Sequence, residues 1–214
     1  MQKLERSVII DPSGIAADVV VPVNARGLVI FAHGSGSSRF SSRNRFVAGE
    51  LQRAGFATLL LDLLTAREEE VDLRTRHLRF DIGLLAGRLV EATNWASEAP
   101  EVKALKPAYF GASTGAAAAL IAAADLPEKI RGVVSRGGRP DLAGTALKRV
   151  AAPTLLIVGG EDTQVIDLNR QAMDQLECEK KLEIVPGASH LFEEPGALEQ
   201  VAALASGWLK EHAW

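Results

Sequence analysis

The sequence predicts an α/β protein: a mostly parallel eight-stranded sheet with helices on both faces and little or no lid. Three observations predict it. Apolar runs of strand length alternate along the chain with helix-length patterns, which is how a helix-covered parallel sheet is built. The last six of those runs are almost unbroken Val, Ile and Leu, as expected for strands buried on both faces. Finally, only Arg136 to Pro153 separate the sixth run from the seventh, which leaves room for one short helix and no cap.

Strands are expected at Ser7–Ile10, Ala17–Pro22, Leu28–Ala32, Ala57–Asp62, Ala108–Gly111, Gly132–Ser135, Thr154–Val158 and Leu182–Val185. The first two flank Pro12-Ser13-Gly14, a turn signal, and read as an antiparallel hairpin at the sheet edge. Helices fill the gaps. Arg43–Ala54 places Phe46, Val47 and Leu51 on one face and ends at Gly55, a C-cap glycine. Thr75–Ser97 carries Leu78, Ile82, Leu85, Leu89 and Val90 at helical spacing. Thr114–Ala124 is nearly all small residues, suited to close packing on a sheet. A short helix near Leu142–Arg149, then Gln164–Leu176 and Leu198–Glu211, complete the set.

At 214 residues the chain reads as one domain spanning residues 1–214. The formal charge is only −3, which argues against a nucleic-acid binder. Cys178 is the single cysteine, so neither an intrachain disulfide nor a Cys-rich zinc site is possible. The longest apolar run, Gly115 to Ala124, is too short to cross a bilayer, and Met1 to Asp11 has no signal-peptide pattern. A cytoplasmic protein with neither a nucleic-acid nor a membrane partner is expected, as a monomer or homodimer.

In open parallel sheets, ligands bind beyond the C-terminal strand ends. There the strand at Ala108–Gly111 runs into Gly111-Ala112-Ser113-Thr114-Gly115 and then a helix. This is the glycine-x-serine-x-glycine elbow, a tight turn that lifts a serine oxygen above the sheet. The glycines are needed where neighbouring backbone leaves no room for a Cβ. A serine hydroxyl needs a base to become a nucleophile. Of His33, His77, His190 and His212, only His190 follows the last strand on a loop at the same edge. The acid that orients it is expected after the preceding strand, in Gly159-Gly160-Glu161-Asp162. Asp162 is favoured and Glu161 is its competitor; the alternative for Asp162 is a helix N-cap.

An oxyanion needs two donors. The Thr114 N–H, just after the nucleophile, supplies one. The loop His33-Gly34-Ser35-Gly36-Ser37-Ser38-Arg39 is expected to supply the Ser35 N–H. The rival reading of this loop as a phosphate cradle lacks the P-loop lysine and the dinucleotide-binding spacing.

These residues, in this order over nearly the whole chain, resemble the α/β-hydrolases, and among them small dienelactone-hydrolase-like proteins. Similar sequences with His-Gly-Ser-Gly-Ser-Ser-Arg and Ser-Arg-Gly-Gly-Arg-Pro segments also occur attached to phosphoribosyltransferase domains, for which 214 residues leave no room. The resemblance implies the strand order 1-2-4-3-5-6-7-8. It also implies a cysteine nucleophile in true dienelactone hydrolases. Here the elbow holds Ser113, and Cys178 is expected on a late helix away from it. That favours general ester or thioester chemistry on a small soluble ester substrate through Ser113, Asp162 and His190, without cofactor or metal. An acyltransferase or peptidase on the same residues, or a binding protein that keeps the fold without turnover, are the alternatives.

Arg39, Arg43 and Arg136 lie after strands at the candidate edge and suit an anionic substrate group. Alternatively they are solvated or pair with acids such as Asp62 or Asp141. The run Glu68-Glu69-Glu70 reads as solvated loop or helix start, with no His pair nearby to make a metal site. Trp208 and Trp214 are expected to cover the core or join a dimer.

Overall fold

The computed structural model describes residues 3–212, so Trp214 lies outside the described residues. Its chain order is β1 (Lys3–Ile10), β2 (Ile15–Pro22), β3 (Leu28–Ala32), α1 (Ser42–Arg53), β4 (Ala57–Leu61), α2 (Ala66–Thr75) and α3 (Ile82–Glu98). Then follow β5 (Pro107–Ala112), α4 (Thr114–Asp125), β6 (Val133–Arg136), β7 (Thr154–Gly159), α5 (Thr163–Gln175), β8 (Lys180–Val185) and α6 (Ala197–His212). The eight strands form one sheet in the order β1-β2-β4-β3-β5-β6-β7-β8, as the resemblance implied. β1 with β2 and β2 with β4 are antiparallel, and all other neighbours are parallel. β3, β4, β5, β6 and β7 consist almost wholly of buried residues, which explains their unbroken apolar runs.

Each face of the sheet has its own core. Val47 and Leu51 of α1 meet Val201, Ala205 and Leu209 of α6 over one face. Leu85 and Leu89 of α3, the alanines of α4, and Ala172 and Leu176 at the end of α5 cover the other. The small residues of α4 let it sit against β3: a Cβ on Gly115 would lie 2.4 Å from the Ala32 carbonyl oxygen. One buried polar pair crosses this core, with the Tyr109 hydroxyl 2.6 Å from Thr93 Oγ1.

Two expectations are corrected, on the helix over Thr75–Ser97 and on Cys178. The helix expected over Thr75–Ser97 is broken into the end of α2, a single 3-10 turn at Leu78–Phe80, and α3. The break is made by Asp72, whose carboxylate is fully buried and accepts the Leu78 and Arg79 N–H groups while pairing with the Arg79 side chain at 2.5 Å. Burial opposes its charge, but Arg79 and those N–H groups hold its carboxyl below the usual range. The run Glu68-Glu69-Glu70 lies at the start of α2, in keeping with its helix-start reading; Glu68 completes a capping box with Thr65 and pairs with Arg88 at 2.6 Å. Cys178 lies in the turn between α5 and β8, its Sγ 3.7 Å from Thr154 Oγ1, rather than on a helix.

The segment between β6 and β7 forms 3-10 turns over Pro140–Arg149, kinked at Gly144. Ala146 and Leu147 are buried there and the segment packs against α4 and α5. It therefore joins the helical layer instead of covering the strand ends. No helix among the described residues is long and apolar enough to cross a membrane.

Candidate active site

Ser113 sits between β5 and α4 at φ 51°, ψ −122°, a conformation that costs a non-glycine residue on the order of 1–3 kcal/mol. Its neighbours hold it there. The Ser113 N–H donates to the Arg136 carbonyl at 3.3 Å, and its own carbonyl accepts the N–H of Arg139 at 3.1 Å. Both elbow glycines are required by close backbone: a Cβ on Gly111 would lie 2.4 Å from Ala116 Cα. The turn thus follows from packing of β5 and α4 against β3, and it leaves the Ser113 side chain facing a cavity of about 250 Å³.

His190 lines the same cavity. Its Nδ1 lies 2.6 Å from Asp162 Oδ2. The loops after β7 and β8 are joined so that the two side chains meet. The Gly160 N–H donates to the Val185 carbonyl at 2.8 Å, and the Glu161 N–H to the Ala188 carbonyl at 3.0 Å. Gly159 allows this approach, since a Cβ there would be 2.3 Å from the Ala188 oxygen. Asp162 occupies the N-cap position of α5, yet its side chain makes no cap hydrogen bond and goes to His190. Glu161 points to solvent. Next to His190 in the chain, hydrogen bonds from the Ser189 hydroxyl and N–H hold the Glu194 carboxyl below its usual range.

The remaining histidines have other partners. His77 is exposed beside Thr75, and His212 stacks on Trp208 and pairs with Glu179. Among the described residues, Ser113 Oγ makes no hydrogen bond, and no three His, Cys, Asp or Glu side chains are grouped to hold a metal ion.

The Gly34–Ser35 peptide lies tightly against the elbow: a Cβ at Gly34 would be 3.1 Å from Ser113 Cβ, so the serine would have to give by a few tenths of an ångström. The Ser35 N–H donates to Thr114 Oγ1 at 2.9 Å, so Ser35 and Thr114 are brought together, though through a side chain. The Thr114 N–H is the first of α4 and has no intrahelical acceptor.

Arg39 does not reach this cavity. Its N–H donates to Asp62 Oδ1 at 2.8 Å, its guanidinium pairs with Asp62 and Asp18, and it lies over the Phe40 ring at 4.1 Å. It lines a separate cavity of about 750 Å³, beyond the Gly36–Ser41 turn, which holds neither Ser113 nor His190. The substrate-binding expectation for Arg39 is therefore corrected in favour of ion pairing: the backbone turn after Ser38 aims the residue at β2 and β4. Arg136 does line the Ser113 cavity, as does Arg43.

Asn44 was not legible as a site residue, yet it is buried in the cavity wall and accepts from Arg136 Nη2 at 3.3 Å. Asn169, fully buried in α5, donates to the Gly138 carbonyl at 3.0 Å and fixes the turn after β6. The signal for both was a polar residue on the buried stripe of an amphipathic helix.

The strand order and the strained serine turn together make this protein an α/β-hydrolase. Within that class it belongs to the dienelactone hydrolase family, which residues 15–214 match. It is similar to the crystal structure of a dienelactone hydrolase from Anabaena variabilis, at 60% identity and a TM-score of 0.95, covering 100% of this chain and 99% of that one. Est1E from Butyrivibrio proteoclasticus shares the fold at 17% identity and a TM-score of 0.77, covering 96% of this chain and 98% of that one. A Mycobacterium tuberculosis protein named "Putative phosphoribosyl transferase" is 56% identical over 208 residues, 97% of this chain and 46% of that protein. The chain thus spans about half the length of that relative.

Proposed function

We propose that this hydrolase cleaves a carboxylic ester or thioester of a small substrate through a Ser113 acyl-enzyme. The observation that carries the reading is the 2.6 Å contact between His190 Nδ1 and Asp162 Oδ2 beside a strained serine in one cavity. An Nδ1–H held by a carboxylate leaves Nε2 as the base. In the reaction, His190 takes the Ser113 hydroxyl proton as Oγ bonds to the carbonyl carbon. The carbonyl electron pair moves onto oxygen, where the Thr114 N–H and the Ser35 N–H receive it. The Ser35 N–H must then pass from Thr114 Oγ1 to the oxyanion. Collapse breaks the bond to the alcohol or thiol, which leaves with the proton from His190. Water, deprotonated by His190, attacks the acyl-enzyme, releases the acid and restores Ser113. The Ser113–His190 hydrogen bond belongs to the substrate complex, since such bonds commonly tighten only on binding.

The phosphoribosyl transferase name belongs to a protein of which this chain matches less than half, and the groups around Ser113 suit acyl transfer. The test is turnover of p-nitrophenyl acetate with covalent labelling by a fluorophosphonate. Ser113→Ala is expected to lose both; labelling that survives it overturns the nucleophile assignment.

A further inference from the structure

The turn after β6, residues 136–139, holds Ser113 from both sides. The Ser113 N–H donates to the Arg136 carbonyl at 3.3 Å, and the Arg139 N–H donates to the Ser113 carbonyl at 3.1 Å. Ser113 needs that hold, because its φ of 51° and ψ of −122° are costly for a serine. The same turn abuts the base: a Cβ on Gly137 would lie 3.0 Å from the His190 carbonyl oxygen and 3.7 Å from His190 Cε1. Two distant groups brace the turn. The Gly137 N–H donates to the Ile157 carbonyl of β7 at 2.7 Å, and the Gly138 carbonyl accepts from Asn169 Nδ2 at 3.0 Å. Asn169 Nδ2 also donates to the Val165 carbonyl of its own helix at 2.8 Å, so the amide ties α5 to the turn with its two N–H bonds. Asn169 is fully buried, and its Oδ1 has no hydrogen-bond partner among the described residues. A buried amide with an idle acceptor is a costly way to fill a core. Its use lies in the tie. α5 begins at Asp162, seven residues and about two turns before Asn169. One helix thus carries, at its start, the acid that meets His190 and, in its middle, the amide that braces the Ser113 turn.

We propose that Asn169 is a positioning residue for this site: it fixes the Ser113 turn against the helix that begins at Asp162, and so sets the serine in register with His190. The inference rests on the hydrolase reading and concerns alignment, not contact with substrate. When the tie is cut, the Gly138 peptide is free to turn, the Arg139 N–H loosens from the Ser113 carbonyl, and the serine relaxes from its strained conformation. A misplacement of about 1 Å costs about 100-fold in rate. Substrate binding is spared, because Asn169 does not line the Ser113 cavity.

The test compares Asn169→Leu, which removes the donor at similar volume, with Thr93→Val, which cuts the buried pair to Tyr109 on the same face of the sheet. On p-nitrophenyl acetate, Asn169→Leu is expected to lower kcat about 10- to 100-fold while KM changes less than about threefold. Fluorophosphonate labelling of Ser113 should slow by a similar factor. Thr93→Val also loses a buried hydrogen bond, yet should keep kcat within about twofold of wild type. If Asn169→Leu does not fold, Asn169→Ser is the smaller change that gives the same comparison. Amide exchange followed by NMR reads the tie without turnover. In the Asn169 variant the Arg139 N–H should exchange at least about tenfold faster than in wild type, while the Gly137 N–H keeps its protection. A wild type that is neither labelled nor active defeats the hydrolase reading, and the exchange rates then decide this proposal alone. Unchanged Arg139 exchange, a kcat within about twofold of wild type in the Asn169 variant, or equal kcat losses in the Asn169 and Thr93 variants overturns it.

Discussion

The backbone N–H of Leu63 donates to His33 Nε2 at 3.1 Å. That nitrogen is therefore an acceptor, and the neutral ring carries its proton on Nδ1, which donates to the Gly34 carbonyl at 2.9 Å. Buried His33 thus holds the peptide whose other end is the Ser35 N–H.

This arrangement gives stability a pH dependence. Burial lowers the His33 pKa below its ordinary value of 6.5, and neither the Gly34 carbonyl nor Asp62 restores it. Below about pH 6.5 the unfolded chain takes up a proton that folded His33 refuses, so stability is present above that pH and falls as the pH drops. His33→Asn is expected to be less stable at neutral pH by about 1–3 kcal/mol, from lost hydrogen bonds. It should nevertheless lose less between about pH 7.5 and 5 than wild type does. Thermal melts across that range check this; parallel curves would refute it.

Asp162→Asn should keep the fold and lower kcat by about 10⁴-fold, because an amide cannot hold the His190 Nδ1–H. Glu161→Gln should change kcat less than about twofold, as its side chain is exposed. Steady-state kinetics of both variants decide between the two acids.

Gly159→Ala should be destabilised by about 3 kcal/mol or more, since its Cβ would meet the Ala188 carbonyl at 2.3 Å. It should also slow turnover, by separating the Asp162 loop from the His190 loop. Gly187→Ala is the control: its φ is +70° but nothing lies within 4 Å of a Cβ, so about 1 kcal/mol is expected. Denaturant midpoints and kcat for the pair would contradict this if the two variants behaved alike.

With Pro140–Arg149 packed on α4 and α5, nothing in that segment can open at a lipid surface. Rates on p-nitrophenyl esters of increasing chain length should saturate smoothly through the solubility limit. A jump in rate on micelle formation would show that a lid exists elsewhere.

Much of this site was legible because its chemistry is tied to chain order. The resemblance implies the order serine, acid, histidine, with the elbow after β5 and the other two candidates after β7 and β8, so Ser113, Asp162 and His190 could be named from position as candidates. The helix over 75–97 was misread because its apolar spacing continues through residues where Asp72, four residues before Arg76, captures the next N–H groups. Spacing reports which side chains face a core; it does not report a side chain that competes for backbone hydrogen bonds.

By itself the sequence determined the succession of strands, most of the helices between them, the parallel core, the turn at Ser113 and the shortness of the segment after β6. Those follow from local periodicity, glycine sterics and length. Only the tertiary structure decided which charges pair. Arg39 lies in the loop beyond β3 and Arg136 at the end of β6, yet Arg39 pairs with Asp62 and Asp18 whereas Arg136 has no acidic partner among the described residues. The reason is physical: an ion pair depends on which distant side chains the sheet register and loop heights bring within a few ångströms. That same long-range placement separated Asp162 from Glu161.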